Sequence, residues 1–202
     1  MERCIIMAKK ELNPGTIIGP LPVALVSVGD GDKTNIITVA WTGIVNTKPP
    51  MTYISVRPER YSYDMIRNSG EFVINLCSQN MTRRVDLCGM KTGAKGDKFK
   101  ICGFEKVPAA KLKNCPMIGE APISLECKVV FEKELGSHTM FLAEIVNVHV
   151  EESLVDDKGK LDLAKADIIG YMHGEYVTKG KHLANFGFSV KKSPKTIQKN
   201  KK

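Results

Sequence analysis

Apolar residues fall along this chain mostly in short runs and alternations. PVALVSV (22–28) is an apolar run rich in β-branched residues, and it ends at GDGDKTN, whose glycines and aspartates suit a tight turn. NIITVAW (35–41) resumes strand character, so the two runs predict a hairpin. After the pair Pro49 and Pro50, MTYISV (51–56) predicts a third strand, and EFVINL (71–76) a fourth. Between these lies SYDMIRNSG (62–70), a short helix with Ser62 as its expected N-cap, Asp64 in the favourable first turn and Gly70 as its stop.

In SQNMTRRVDLCG (78–89), Met81, Val85 and Cys88 recur at helical spacing, and Gly89 is expected to end that helix. The stretch 90–122 is rich in Gly, Lys and Pro and reads as a long, mostly irregular loop, the kind that forms a lid or a dimer arm. ISLECKVVF (123–131) and HTMFLAEIVNVHVEE (138–152) are strands. In the second, Val146, Val148 and Val150 alternate with Asn147, His149 and Glu151, which predicts a half-exposed end. DIIGYMHGEYVTKG (167–180) predicts two short strands or a turn. About six strands with short helices between them indicate a β-barrel with helical insertions and no doubly wound parallel sheet. No G-x-G-x-x-G and no Walker lysine loop is present, so a nucleotide would not bind in the Rossmann manner.

Length and composition narrow the class. The 202 residues, 43% hydrophobic and 26% charged, make one globular domain, expected over 1–190 with a basic, disordered tail at 191–202. The net charge of +8 is mostly that tail, which carries six lysines and no acid, leaving +2 for the rest. With no arginine or aromatic residue in it, nucleic-acid binding is not favoured. No apolar run is long enough to span a membrane. The start, MERCIIMAKKEL, lacks a long apolar core and a cleavage site, so the cytoplasm is the expected compartment. The cysteines Cys4, Cys77, Cys88, Cys102, Cys115 and Cys127 form no C-x-x-C pair, which argues against zinc and for buried free thiols. No metal site is expected.

The chemistry gathers in residues 35–62, NIITVAWTGIVNTKPPMTYISVRPERYS. The end of one strand (Thr38 to Thr42), the next strand (Ser55 to Arg57) and a helix N-terminus at Ser62 converge there. A helix start offers free N–H groups and partial positive charge. Arg57 and Arg60 add forked donors suited to phosphate, and Ser62 can donate to an anion or cap the helix. Thr38, Ala40, Thr42 and Gly43 are small enough to admit a flat ring against the backbone, although such residues also serve ordinary packing, as does Trp41. His138, Tyr171, His173, Tyr176 and Lys98 taken singly read as readily as solvated or structural groups. No Ser-His-Asp or Cys-His spacing supports a nucleophile.

Taken together, NIITVAWTG, KPPMTYISVRPERYSYDMIRNSGEFVINL, CGMKTGAKGDKFK, APISLECKV, GSHTMFLAEIVNV and ANFGFSV resemble the flavin reductase-like, FMN-binding split-barrel family, in particular its flavoredoxin branch. The resemblance runs over about residues 20–190. It implies a six-stranded antiparallel split barrel, a homodimer, and FMN near the interface. It also implies that Asn35 contacts the flavin region and that Thr38, Val39, Ala40, Trp41 and Thr42 line the isoalloxazine. Ser55 and Arg57 then meet the ribityl-phosphate side and Ser62 the phosphate. Lys98 reaches the cofactor from the long loop, His138 lies near the ring as the catalytic candidate, and Tyr171 approaches from the C-terminal segment. The resemblance implies an oxidoreductase taking hydride from NADH or NADPH and passing electrons to flavin, iron or a protein, or alternatively an electron carrier serving a redox protein partner without nicotinamide activity. A more remote alternative, resting on the basic loops and tail, is a non-enzymatic barrel that binds nucleic acid.

Overall fold

The structure is a computed structural model that describes residues 7–190; Cys4 and the lysine-rich segment 191–202 lie outside the described residues. The elements in chain order are β1 (Leu21–Pro22), β2 (Ala24–Asp30), β3 (Lys33–Val39), β4 (Thr42–Thr47), β5 (Pro50–Val56), α1 (Ser62–Ser69), β6 (Glu71–Leu76), α2 (Thr82–Met90), α3 (Lys98–Cys102), β7 (Lys106–Val107), β8 (Met117–Ile118), β9 (Ile123–Glu134), β10 (Thr139–Val150), β11 (Gly170–Met172) and β12 (Glu175–Val177). Seven of the strands form one antiparallel sheet in the order β3-β2-β6-β9-β10-β5-β4.

That order, with one covalent fact, forces the barrel. β3 and β4 are the two edges of the sheet, yet only Ala40 and Trp41 separate them in the chain. In a flat seven-stranded sheet the edges would lie roughly 29 Å apart. The link from Val39 to Thr42 can span at most roughly 11 Å. The sheet therefore rolls until its edges meet at Ala40–Trp41, and the Ser55 N–H donates to the Trp41 carbonyl at 3.0 Å, extending the β4–β5 pairing into that link. This is a mainly β, split-barrel arrangement with short helices. Its main sheet has seven strands because Thr42–Thr47 is a strand of its own, which the apolar pattern did not announce; it is short, and Ile44 and Val45 are exposed.

Side chains facing inward from β2, β5, β6 and β10 fill the barrel with α1 across one end: Val26, Ile54, Ile66, Phe72 and Phe141 are all fully buried. A second core lies outside the sheet, where Met81, Val85 and Cys88 of the α2 region meet Phe99 and Cys102 of α3, Leu25 and Ile36. The helical spacing of Met81, Val85 and Cys88 is thus the packed face of α2, although the helix runs one residue past Gly89 to Met90. The segment 90–122 is not a free loop. Phe99, Phe104, Leu112, Cys115, Met117 and Ile118 are buried on the barrel, and α3 is capped by Asp97, whose carboxylate accepts from the Phe99 N–H at 2.9 Å. Its apolar residues are too irregularly spaced, and too diluted by Gly, Lys and Pro, to show as a periodic pattern.

Two further expectations change. Ser62 is not the N-cap of α1: Tyr61 holds that position without a side-chain cap, and Ser62 is buried as the first helical residue. The end of β10 is half-exposed as expected, but Val148 is the exposed residue. Asn147 and His149 turn instead toward the buried Glu126 carboxylate, at 3.1 and 2.5 Å. That carboxylate also accepts from the backbone N–H groups of Ala110 and Lys111, so the polar residues turn inward to satisfy a buried charge. No helix among the described residues is long and apolar enough to cross a membrane.

Candidate functional site

Two cavities open along the barrel seam and share Ile37, Thr38, Arg60, Gly89 and Met90, so they form one groove. The first encloses about 420 Å³ and the second about 260 Å³. Together they have the size of a site for a mid-sized cofactor.

The larger cavity is the aromatic end. Thr38, Val39, Ala40, Trp41, Ser55, Arg57, Arg60, His138 and Tyr171 all line it. The seam explains their convergence. Trp41 is the link between the sheet edges, and β10 pairs with β5 so that Thr139 lies opposite Val56, which sets His138 beside Arg57 at the rim. The Trp41 and His138 rings lie 4.3 Å apart at 39°, and Trp41 keeps 38% of its surface exposed. An aromatic face left open in a cleft is a platform for a flat ring. Burial, and then the charge of Arg57, hold His138 below the ordinary histidine range, so its ring is neutral at neutral pH. Arg57 itself makes an exposed ion pair with Glu59 at 3.4 Å.

The smaller cavity is the cationic end. Asn35, Thr38, Arg60, Ser62 and Lys98 line it. The Asn35 Nδ2 donates to the Ser62 Oγ at 2.8 Å, and both residues are buried. Because that oxygen already accepts, the Ser62 hydroxyl hydrogen is left to be donated. Lys98 is only 4% exposed; its ammonium donates to the carbonyls of Ile36 at 2.8 Å and Cys88 at 2.6 Å. Burial pulls its pKa below the usual lysine value. Among the described residues neither Lys98 nor Arg60 forms an ion pair with a carboxylate. A buried cation without an anionic partner is costly, and a bound anion would relieve that cost. Gly93 closes this end: a Cβ there would lie 2.4 Å from Asn35 Oδ1 and 2.5 Å from Tyr61 Cδ1, so no larger residue fits without displacing them.

Of the residues singled out in the sequence, Thr42, Gly43 and His173 line neither cavity. Thr42, expected at the ring, is buried, and its hydroxyl donates to the Tyr53 carbonyl at 2.6 Å, which makes it part of the β4–β5 pairing. Ser55 and Arg57 fall at the aromatic end and Asn35 at the cationic end. The sequence reading passed over Asp86, Gly89 and Met90. Their spacing places them on one face of α2, and that spacing was the available signal. It also left Tyr176 unassigned. The Tyr176 hydroxyl donates to Asp86 at 3.1 Å, and burial, reinforced by Asp86, pushes its pKa up to about 12. That bond holds the β11–β12 hairpin, and with it Tyr171, over the groove; the two tyrosine rings meet edge to face at 6.0 Å. Among the described residues no group of His, Cys, Asp and Glu could hold a metal ion.

A family model described as "Flavin reductase like domain" matches residues 19–179 of this chain. The chain belongs to that family. Flavin reductase-like proteins of known structure superpose closely. The flavoredoxin of Desulfovibrio vulgaris is 34% identical, with a TM-score of 0.84 over 91% of this chain and 100% of its own. The flavoredoxin from Methanosarcina acetivorans is 31% identical, with a TM-score of 0.84 over 92% of this chain and 100% of its own. An uncharacterized protein of Pyrococcus abyssi is 31% identical over 162 residues, covering 80% of this chain and 92% of its own. Membership brings the family's general function, flavin-linked oxidoreductase or electron-transfer chemistry.

Proposed function

We propose that this chain is an FMN-dependent oxidoreductase that takes electrons from NADH or NADPH and passes them to flavin, iron or a protein acceptor. The observation that carries the proposal is the bipolar groove: an open aromatic face at one end, and a buried ammonium with no carboxylate partner beside a donor hydroxyl at the other. A flat ring joined to a phosphate satisfies both ends. Bound FMN would supply the redox chemistry itself, accepting a hydride and releasing electrons.

The chain's own residues bind and orient. Ser62, Lys98 and Arg60 would hold the phosphate, with Asn35 fixing the Ser62 hydroxyl as a donor. Thr38, Val39, Ala40 and Trp41 would line the ring, and Ser55 and Arg57 its polar flank. The Thr38 hydroxyl donates to the Val85 carbonyl at 2.6 Å and so fixes that wall to α2. Neutral His138, held by Ser137 Oγ on Nδ1 at 2.9 Å, would orient an incoming nicotinamide, and Tyr171 would exclude water from the far side. The functional unit is a homodimer. Its support is an apolar cross-strand row on the outer face of the barrel, where Phe131 lies opposite Leu142 and Leu142 opposite Tyr53, with Ile44, Val45 and Val130 exposed nearby.

Titration with FMN tests the cofactor: quenching of flavin fluorescence at micromolar concentration is expected, and its absence contradicts the proposal. A second reading, an electron carrier without nicotinamide activity, is supported by the likeness to two flavoredoxins across nearly the whole chain. Bleaching of the flavin band by dithionite but by neither nicotinamide would select it.

A further inference from the structure

Three of the described cysteines are buried with a backbone carbonyl, not a second sulfur, as hydrogen-bond partner. The thiols of Cys77, Cys115 and Cys127 donate to the backbone carbonyls of Asn75, Glu71 and Leu125. Cys88 and Cys102 differ. Their Sγ atoms lie 3.5 Å apart, one on the last turn of α2 and the other at the end of α3. Lys98 ties this pair to the groove. It stands four residues before Cys102 on α3, hence on the same helix face, and its ammonium donates to the Cys88 carbonyl at 2.6 Å. Cys88 and Lys98 both line the cationic cavity. The two thiols, the carbonyl and the ammonium thus form one mechanical unit.

We propose that Cys88 and Cys102 are a thiol–disulfide couple whose oxidation state sets how firmly Lys98 holds an anion in the groove. The coupling to Lys98 rests on the anion-site reading above; the couple itself does not. The oxidant is a hydroperoxide. Cys102, the less buried thiol, attacks hydrogen peroxide: the O–O bond breaks, an S–O bond forms and water leaves. Cys88 sulfur then displaces the hydroxyl of the resulting sulfenic acid. An S–S bond forms, the S–O bond breaks, and the hydroxyl departs as water with the Cys88 proton. Two thiols lose two electrons and two protons in all, and one peroxide gains them as two waters. Burial, and then the neighbouring Cys102, push the Cys88 thiol up, which makes it the poorer nucleophile toward the peroxide. Its part in the second step rests on its sulfur lying 3.5 Å from that of Cys102.

A disulfide brings the sulfurs from 3.5 Å to about 2.0 Å, which turns both cysteine side chains and draws the last turn of α2 toward the end of α3. The Lys98–Cys88 hydrogen bond at 2.6 Å is already at the short limit and cannot absorb that movement. Lys98 then releases the carbonyl, and the ammonium loses its fixed position in the cavity.

The test treats the full chain with hydrogen peroxide, then counts thiols after denaturation and maps unreduced peptides. Four of the six cysteine thiols are expected to remain, with one link joining the Cys88 and Cys102 peptides and reversed by dithiothreitol. The Cys102→Ser variant should form no such link, whereas Cys127→Ser should form it as the natural chain does. The oxidised protein should bind FMN roughly tenfold more weakly, with riboflavin unchanged. Survival of all six thiols, their conversion to sulfinic acids, or a link between other cysteines overturns the couple. A correct link with FMN affinity unchanged overturns the coupling to Lys98. If the reduced protein binds FMN no better than riboflavin, the anion-site reading has failed, and the peptide map still decides the couple.

Discussion

Replacing Asn35 with Asp preserves the side chain's shape and reverses one hydrogen bond. In the structure the Asn35 amide donates to the Ser62 oxygen at 2.8 Å, leaving the Ser62 hydrogen for a ligand. Aspartate can only accept, so the Ser62 hydroxyl turns to it and is consumed. The phosphate loses a charge-assisted hydrogen bond, about 1.5–3 kcal/mol. It also gains a negative neighbour; at roughly 5 Å and an effective dielectric of about 20 that repulsion is about 3 kcal/mol. Lys98 lies in the same cavity and offsets part of it, so a net loss of about 4 kcal/mol follows, roughly three decades in Kd. Fluorescence-quenching titrations of FMN and riboflavin, run side by side on both proteins, read this directly, because riboflavin has no phosphate. Asn35→Asp should abolish the preference for FMN and leave riboflavin within about threefold. A thermal melt should show the variant folded, since its carboxylate gains the Ser62 hydroxyl and the Lys98 charge. An FMN Kd within threefold of the natural chain would refute the hydrogen-bond assignment at the cationic end.

Trp41→Ala should weaken FMN and riboflavin alike, by about 1 kcal/mol or more for the lost ring contact, as read in the same titration. Gly93→Ala places a Cβ against Asn35 and Tyr61 and should weaken FMN more than riboflavin. Burial alone would raise the Glu126 carboxyl, but hydrogen bonds from His149, the Ala110 and Lys111 N–H groups and Asn147 outweigh it and hold the pKa at about 2, against 4.5 for a free glutamate. A depressed folded-state pKa stabilises above the unfolded value, so about 3 kcal/mol of stability should disappear as pH falls from about 4.5 to about 2. Urea midpoints across that range should drop less for Glu126→Gln. Leu142→Glu puts a charge in the outer apolar row and should convert dimer to monomer in light scattering, with the melting temperature of the monomer little changed.

The sequence carried the barrel in its short apolar runs and turn signals, and the register of β2 with β3 follows the hairpin they predict. It did not carry β4, because Thr42–Thr47 turns exposed apolar residues outward and so breaks the alternation that marks a half-buried strand. Nor did it carry the closure. That Ala40 and Trp41 join opposite edges of one sheet is a fact of strand order, which no local pattern encodes. At the site, the residues of 35–62 were legible because one segment holds the seam and the start of α1 together. Ser62 was legible as a polar group at a helix start, but its partner Asn35 lies 27 residues away and the direction of their bond is set only by packing. Asp86 and Tyr176 were missed because the hydrogen bond that gives them a role joins residues 90 positions apart.

On the proposed reading the groove binds FMN and lets a nicotinamide reduce it. Anaerobic titration of the FMN-loaded protein with NADH, and then NADPH, tests this most directly. Stoichiometric bleaching of the flavin absorption band by at least one of them is expected. A band that persists through both and yields only to dithionite would contradict it.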